Sequence, residues 1–251
     1  MTPAPSPVPL RAWTGLPGVL EVFPVDLERL PPGVDTTALS SDELARAARF
    51  RSGRHARLFV NGRAWLRHVL GCWRREEPSR LNFRYNQQGK PWLQGGPEFN
   101  LAHCENAAVL ALGDKRRVGV DIERLRPAPD EDKDDDLVAE QFFAPGERAR
   151  LRRLPETERP AAFLRCWTRK EALLKALGGG LSLPLDAFEV SFGAGEQPAL
   201  LTSTWPWAQP GDWALRDLSE IWPGHVVALA FARPMTPDGT TPNPAQELVT
   251  A

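Results

Sequence analysis

The chain has 251 residues, 31 Lys+Arg against 32 Asp+Glu, 42% hydrophobic and 25% charged, an ordinary globular composition. A net charge of −1 argues against a general nucleic-acid binder, and no apolar run approaches the ~20 residues that a membrane helix needs. Met1 to Pro9 has neither the basic start nor the apolar centre of a signal peptide, so the cytoplasm is the expected compartment. Cys72, Cys104 and Cys166 are odd in number and lack CxxC spacing, which fits reduced, packed thiols and neither disulfides nor structural zinc.

In chain order, residues 1–10 and 233–251 are rich in Pro, Thr, Ala and Asn without apolar periodicity and read as poorly ordered tails. Leu20 to Leu27 reads as a strand closed by Pro31-Pro32-Gly33. Ser40 and Glu43 have capping-box spacing ahead of a helix running to Phe50, and a second helix covers His55 to Leu70. From Arg46 to Arg80 there are ten arginines, no lysine and only Glu76 and Glu77 as acids. That patch is either a solvated helix face or a surface for phosphates or an acidic partner. Trp92-Leu93 reads as a short strand, and Ala107 to Leu112 with Arg117 to Glu123 as a hairpin across Gly113 to Arg116. The acidic stretch 127–136 reads as a linker, and helices follow from Pro145 to Leu154 and from Arg159 to Leu177, the latter stopped by three glycines. Short strands fill Leu181 to Phe231. The order points to an α+β fold of two similar-sized halves meeting near residue 118.

Three stretches carry the chemistry. In Val118 to Glu123, strand alternation puts Gly119, Asp121 and Glu123 on one face, the two carboxylates about 6.5–7 Å apart. Glycine there would leave room for a ligand, and the alternative is a pair of solvated acids on an exposed edge. Trp167, Glu171 and Lys175 recur at helical spacing along one face, so Glu171 can join the two acids, with Lys170 and Lys175 as nearby positive charge. An all-carboxylate set without His or Cys favours Mg²⁺ over zinc. The third stretch is Asn100 to His103, preceded by Gly89-Lys90-Pro91, a candidate phosphate contact without the pattern of a P-loop.

Taken together, Gly89-Lys90-Pro91, Phe99 to His103, Val118 to Glu123, Phe142-Phe143 with Glu147, Trp167 to Lys175 and Gly180 to Leu185 resemble the 4′-phosphopantetheinyl transferases of the longer, two-half type. The resemblance covers residues 40–192. It implies a pseudo-dimer of two α+β halves, 1–117 and 118–251 with a disordered tail from about 234, and an active site in the cleft between them. The implied reaction moves phosphopantetheine from coenzyme A to a serine of an apo acyl or peptidyl carrier protein, releasing adenosine 3′,5′-bisphosphate. Such carriers serve fatty-acid or secondary-metabolite assembly. Implied metal ligands are Asp121, Glu123 and Glu171. Implied coenzyme A contacts are Arg46, Arg54, Gly89, Lys90, Pro91, Asn100, Leu101, Ala102, His103, Asp121, Glu171 and Lys175. Glu171 is the implied base, with Lys175 neutralising the diphosphate and Glu147 either a support behind the reacting groups or an alternative base.

Two departures stand out. Ala102 takes the place of a common serine, and Glu43 and Arg46 stand where some relatives carry two basic residues. The arginine patch or the apolar segment Leu181 to Leu185 is expected to receive the carrier's acidic helix. A monomer is expected, with no nucleic-acid or membrane partner. The rival readings are a Mg²⁺-dependent pyrophosphate hydrolase or nucleotidyl transferase, and a non-catalytic module that binds coenzyme A or a carrier.

Overall fold

The computed structural model describes residues 11–12, 20–125 and 135–233. The expected tails (residues 1–10 and 234–251) and most of the acidic linker (127–134) lie outside the described residues. In chain order the elements are β1 (Arg11–Ala12), β2 (Leu20–Asp26), α1 (Ser41–Ala47), α2 (Gly53–Arg74), β3 (Arg84–Tyr85), β4 (Pro91–Trp92), β5 (Glu98–Cys104), β6 (Ala107–Gly113) and β7 (Val118–Arg124). They continue with α3 (Asp135–Phe142), α4 (Pro145–Arg153), α5 (Arg159–Leu177), β8 (Phe188–Val190), β9 (Leu200–Ser203), β10 (Trp213–Asp217) and β11 (His225–Ala232). The fold is α+β. Helix α2 starts earlier than its periodicity suggested because the Ser52 hydroxyl accepts from the His55 N–H, and it runs on until Arg75 turns left-handed.

Two antiparallel sheets form the centre, one ordered β1-β2-β6-β5 and the other β10-β11-β7. Strand β6 is buried along its whole length, and its two faces have different partners. Ala108, Leu110 and Leu112 pack with Leu66, Val69 and Leu70 of α2. Ala107, Val109 and Ala111 pack with Val118, Val120, Val227 and Leu229 of the other sheet. Helix α5 covers the far side of that second sheet, where Leu215, Ala228 and Ala230 join Ala172, Leu173 and Ala176. The layers are therefore helix, sheet, sheet, helix. Each fully buried leucine, such as Leu66 or Leu70, contributes about 1.5–3 kcal/mol.

The expected hairpin between residues 107–112 and 117–123 does not form. Both edges of β6 are already taken, by β2 and β5, so β7 crosses to the other sheet and pairs with β11. Strand β6 is apolar on both faces and β7 on its inner face, and such apolar runs do not name their partners. The remaining edge of β7 is held to the first sheet by a side chain: Val120 N–H donates to Asn100 Oδ1 at 2.8 Å.

Strand β7 also lies hard against α5. A Cβ at Gly119 would sit 2.1 Å from the Ala172 carbonyl oxygen and 2.2 Å from the Ala176 nitrogen. The glycine makes room for a helix backbone, not for a ligand as its sequence context suggested. Gly178 ends α5 at φ +76, and the exposed carbonyls of that end are satisfied from the β3–β4 turn. Asn86 Nδ2 donates to the Gly178 carbonyl at 2.7 Å, and Lys90 Nζ donates to those of Lys175 at 2.7 Å and Val118 at 3.2 Å. A cation at a helix C-terminus also suits the helix dipole.

Beneath this lies a sealed ion pair. Lys170 Nζ and Glu147 Oε2 are 2.7 Å apart, and both side chains are fully buried. Lys170 also donates to the Leu185 and Phe188 carbonyls, while Glu147 accepts from the Val190 and Ala144 N–H groups. Burial pushes the Glu147 carboxyl up, against the pull of Lys170. Every strong partner is internal, so Glu147 is a joint between α4, α5 and β8 and has no route to a reacting proton. The proposal from sequence that it serves as a base is corrected, and so is the placing of Lys170 beside the acids.

Two outcomes follow from this packing. Gly119→Ala is expected to cost about 1–3 kcal/mol or more, because the clashing atoms are backbone. Glu147→Ala is expected to lose about 3–5 kcal/mol by stranding Lys170. Urea unfolding midpoints of both variants against the parent chain measure these losses.

Candidate active site at the β7–α5 seam

Because strand residues alternate, Val118, Val120 and Ile122 enter the core between the sheets, and Gly119, Asp121 and Glu123 turn towards α5. On α5 most residues are buried, and Trp167, Glu171 and Lys175 form a half-exposed line, one turn apart. The two patterns meet. Lys175 Nζ donates to Asp121 Oδ1 at 2.5 Å across the seam. Asp121 is only 4% exposed, and its second oxygen, Oδ2, is buried with no hydrogen-bond partner. A buried carboxylate oxygen left open is costly unless a ligand or ion completes it.

Glu171 feels the same environment. Desolvation lifts its carboxyl above the usual range; Lys175 draws it down, and the negative charges of Asp121 and Glu123 lift it further. The three acids thus lie within electrostatic reach of one another. As they stand they form no closed shell: among the described residues, no group of three or more His, Cys, Asp or Glu is disposed to hold a metal ion. The Lys175 ammonium supplies the compensating charge. His103, exposed at the end of β5, is lowered by desolvation and by the charge of Lys175, which places it at the same corner.

A cleft of about 660 Å³ is lined in part by the β3–β4 region. Its walls come from α1 and the turn after it (Asp42, Glu43, Arg46, Arg49, Phe50), from α2 (Phe59), and from β3 and the turn that follows it (Tyr85, Gly89). The Phe50 and Phe59 rings lie 5.4 Å apart, and the Arg46 guanidinium stands 5.3 Å from the centre of Phe59. Among the described residues no carboxylate pairs with Arg46 or Arg49. With Glu43 neutralised by Arg63 and Arg67, and Asp42 the other acid of the wall, Arg46, Arg49, two aromatic faces and a tyrosine make a seat for a planar ligand that carries an anionic group. Gly89 lines this cleft and Lys90, the next residue, is bonded to the end of α5, so the cleft and the acidic corner share one wall.

The expected site residues divide accordingly. Asp121, Glu123, Glu171, Lys175 and His103 gather at the seam, and Arg46 and Gly89 line the cleft. Lys90 spends its ammonium on two carbonyls, and burial lowers its pKa to about 8, so it fixes the turn instead of reaching out for an anion. Pro91 is a strand residue opposite Tyr85. Asn100 is the bridge between sheets, Leu101 packs towards α2 and Ala102 is buried in the core between the sheets. Those three side chains serve the scaffold. Arg54 pairs with Glu28 at 2.9 Å and does not line the cleft. Leu183 and Leu185 of the segment after α5 are buried and belong to the core.

Sequence reasoning missed Arg49, Phe50, Phe59 and Tyr85. A signal existed for some of them: two phenylalanines interrupt the arginine run, and Tyr85 is the only tyrosine of the chain.

A family model described as the 4′-phosphopantetheinyl transferase superfamily matches residues 117–230, the span that holds β7 and α5. The 4′-phosphopantetheinyl transferase HetI of Nostoc sp. is 41% identical over 175 residues, 68% of this chain and 71% of that protein. The 4′-phosphopantetheinyl transferase Sfp of Bacillus subtilis is 27% identical over 213 residues, covering 84% and 90% of the two chains. Among solved structures, a Chronobacterium ammoniagenes ACPS–CoA complex aligns with a TM-score of 0.35 at 19% identity, over 49% of this chain and 100% of that one. The sequence relatives decide the assignment: the chain belongs to the 4′-phosphopantetheinyl transferase superfamily and is an enzyme of that class.

Proposed function

We propose that this enzyme moves the 4′-phosphopantetheine group of coenzyme A onto a serine of an apo acyl or peptidyl carrier protein, with Mg²⁺, and releases adenosine 3′,5′-bisphosphate. The observation that carries the reading is the Asp121 carboxylate, buried on Lys175 by one oxygen and open at the other, beside a Glu171 of raised pKa. In this reading residues 1–117 and 118–251 act as two related halves, with the change of sheet between Gly113 and Val118 as their junction.

The donor chemistry at the seam suits a hard divalent cation: oxygen ligands alone, one of them unpartnered, and acids whose mutual repulsion a cation would relieve. Asp121, Glu123 and Glu171 would hold it, and when bound it would offset the charge of the diphosphate. The nucleotide end of coenzyme A would lie in the cleft, its adenine against Phe50 and Phe59 and its 3′-phosphate near Arg46 and Arg49. Lys175 would face the diphosphate. Glu171 would take the hydroxyl proton as the serine oxygen bonds to the phosphorus that carries pantetheine. The bond from that phosphorus to the oxygen of the adenosine phosphate breaks, and its electron pair leaves with the nucleotide. A base must be ionised to act, and a cation held beside Glu171 would favour its ionised form.

Incubation with coenzyme A, Mg²⁺ and an apo carrier is expected to add one phosphopantetheine to the carrier, read by mass. Consumption of coenzyme A with an unmodified carrier would overturn the reading in favour of hydrolysis. Glu171→Gln is expected to lower kcat about 10²–10⁴-fold. In the metal-free enzyme Glu171 keeps its proton to higher pH than an exposed glutamate does. The folded state keeps that proton longer than the unfolded chain, so Glu171 adds stability below the window between the two pKa values and loses it as pH rises through it. Mg²⁺ alone is expected to raise the unfolding temperature of the parent enzyme, and to do so far less in Asp121→Asn.

A further inference from the structure

Helix α1 is seven residues long, and only Glu43 and Ala47 in it are buried. A helix so short has little intrinsic stability. What fixes it is therefore what Glu43 touches. The Glu43 carboxylate is 2% exposed and accepts from Arg63 Nε at 2.5 Å, Arg67 Nε at 2.7 Å and Ser40 N–H at 2.9 Å. Burial pushes its pKa up, but the two guanidiniums and the Ser40 N–H together hold it below the usual range. It is a charged joint with its hydrogen bonds made.

Both arginines lead onward. Arg67 Nη1 donates to the Pro78 and Leu81 carbonyls at 2.8 and 2.9 Å. Arg63 Nη2 donates to the Tyr85 hydroxyl at 3.1 Å, and both guanidiniums stack on Phe83, 4.6 and 5.0 Å from its ring centre. A single carboxylate thus ties α1 to α2 and, through Arg63, to the strand that carries Tyr85. Those are the three walls of the 660 Å³ cleft. Arg46 lies one turn after Glu43 on the same short helix, and Arg49 follows directly.

We propose that Glu43 is the positioning residue of this cleft: through Arg63 and Tyr85 it sets the spacing of the three walls and aims Arg46 and Arg49 at the 3′-phosphate of the bound nucleotide. The proposal rests on the reading above that the cleft takes the nucleotide end of coenzyme A. In this chain the position supplies no cation to the ligand. It supplies the counter-charge that orients the cations beside it, and discrimination between coenzyme A and dephospho-coenzyme A passes to Arg46 and Arg49.

The test compares the parent enzyme, Glu43→Gln and Tyr85→Phe in steady-state transfer to an apo carrier, with coenzyme A and with dephospho-coenzyme A. Titration with adenosine 3′,5′-bisphosphate in a calorimeter gives binding without turnover. Glu43→Gln is expected to raise KM for coenzyme A about tenfold, the scale of one lost hydrogen-bonded charge contact, with kcat kept. Its binding of the bisphosphate weakens in step, and its preference for coenzyme A over the dephospho form shrinks. Tyr85→Phe, which leaves the Glu43 pairs intact, moves the same quantities in the same direction by less and keeps the unfolding midpoint. Should Glu43→Gln not fold, Tyr85→Phe and Arg63→Lys decide alone. Unchanged KM, affinity and preference in these variants, or a fall in kcat alone, would overturn the proposal while leaving the transferase reading in place. A parent enzyme that binds the bisphosphate without modifying any carrier would overturn the transferase reading instead.

Discussion

Strand β7 rests on the backbone of α5 at a point where not even a methyl group fits. The rest of the site depends on that contact. It brings the face carrying Asp121 within hydrogen-bond distance of Lys175, and it places Glu171 one turn away, near both acids of the strand. A strand held further off by a side chain at residue 119 would leave Asp121 facing a gap. The same closeness requires the end of α5 to be capped from elsewhere, and the β3–β4 turn does this with Asn86 and Lys90. That turn is also a wall of the 660 Å³ cleft, so one contact between a strand and a helix aligns the cleft with the acidic seam.

Two Lys–carboxylate pairs in this molecule make an instructive contrast. Glu147 and Lys170 are sealed from solvent, and each is surrounded by backbone partners. Asp121 and Lys175 use similar groups, but the lysine is 30% exposed and the aspartate keeps one oxygen open. A buried pair whose hydrogen bonds are all internal gives rigidity, and removing one member strands the other. A pair left incomplete at a half-exposed seam is available for a ligand. Residue type alone does not separate the two roles, and the polar environment does.

Arginine plays two parts in the first half. Arg63 and Arg67 are spent inside on Glu43, while Arg46 and Arg49 line the cleft without carboxylate partners among the described residues. Local excess charge in an overall neutral chain is thus partly structural mortar and partly a field for an anion. Planar guanidinium groups suit the first part especially, since they stack on Phe83 and donate along two directions at once.

Much of this was legible from the sequence. Periodicity and caps set α4 and α5, the alternation in β7 put Asp121 and Glu123 on one face, and the spacing of Trp167, Glu171 and Lys175 marked one line of α5. These are properties of neighbours along the chain, which local sterics and hydrogen bonding determine. The partner of β7, the commitment of Lys90 and Asn100 to scaffold bonds, the sealing of Glu147 and the inward turn of Glu43 were decided by the tertiary structure alone. An apolar strand satisfies its backbone equally well at several edges, and a charged side chain takes whichever counter-charge packing brings within about 3 Å. That choice is made between segments far apart in sequence, so only the folded chain records it.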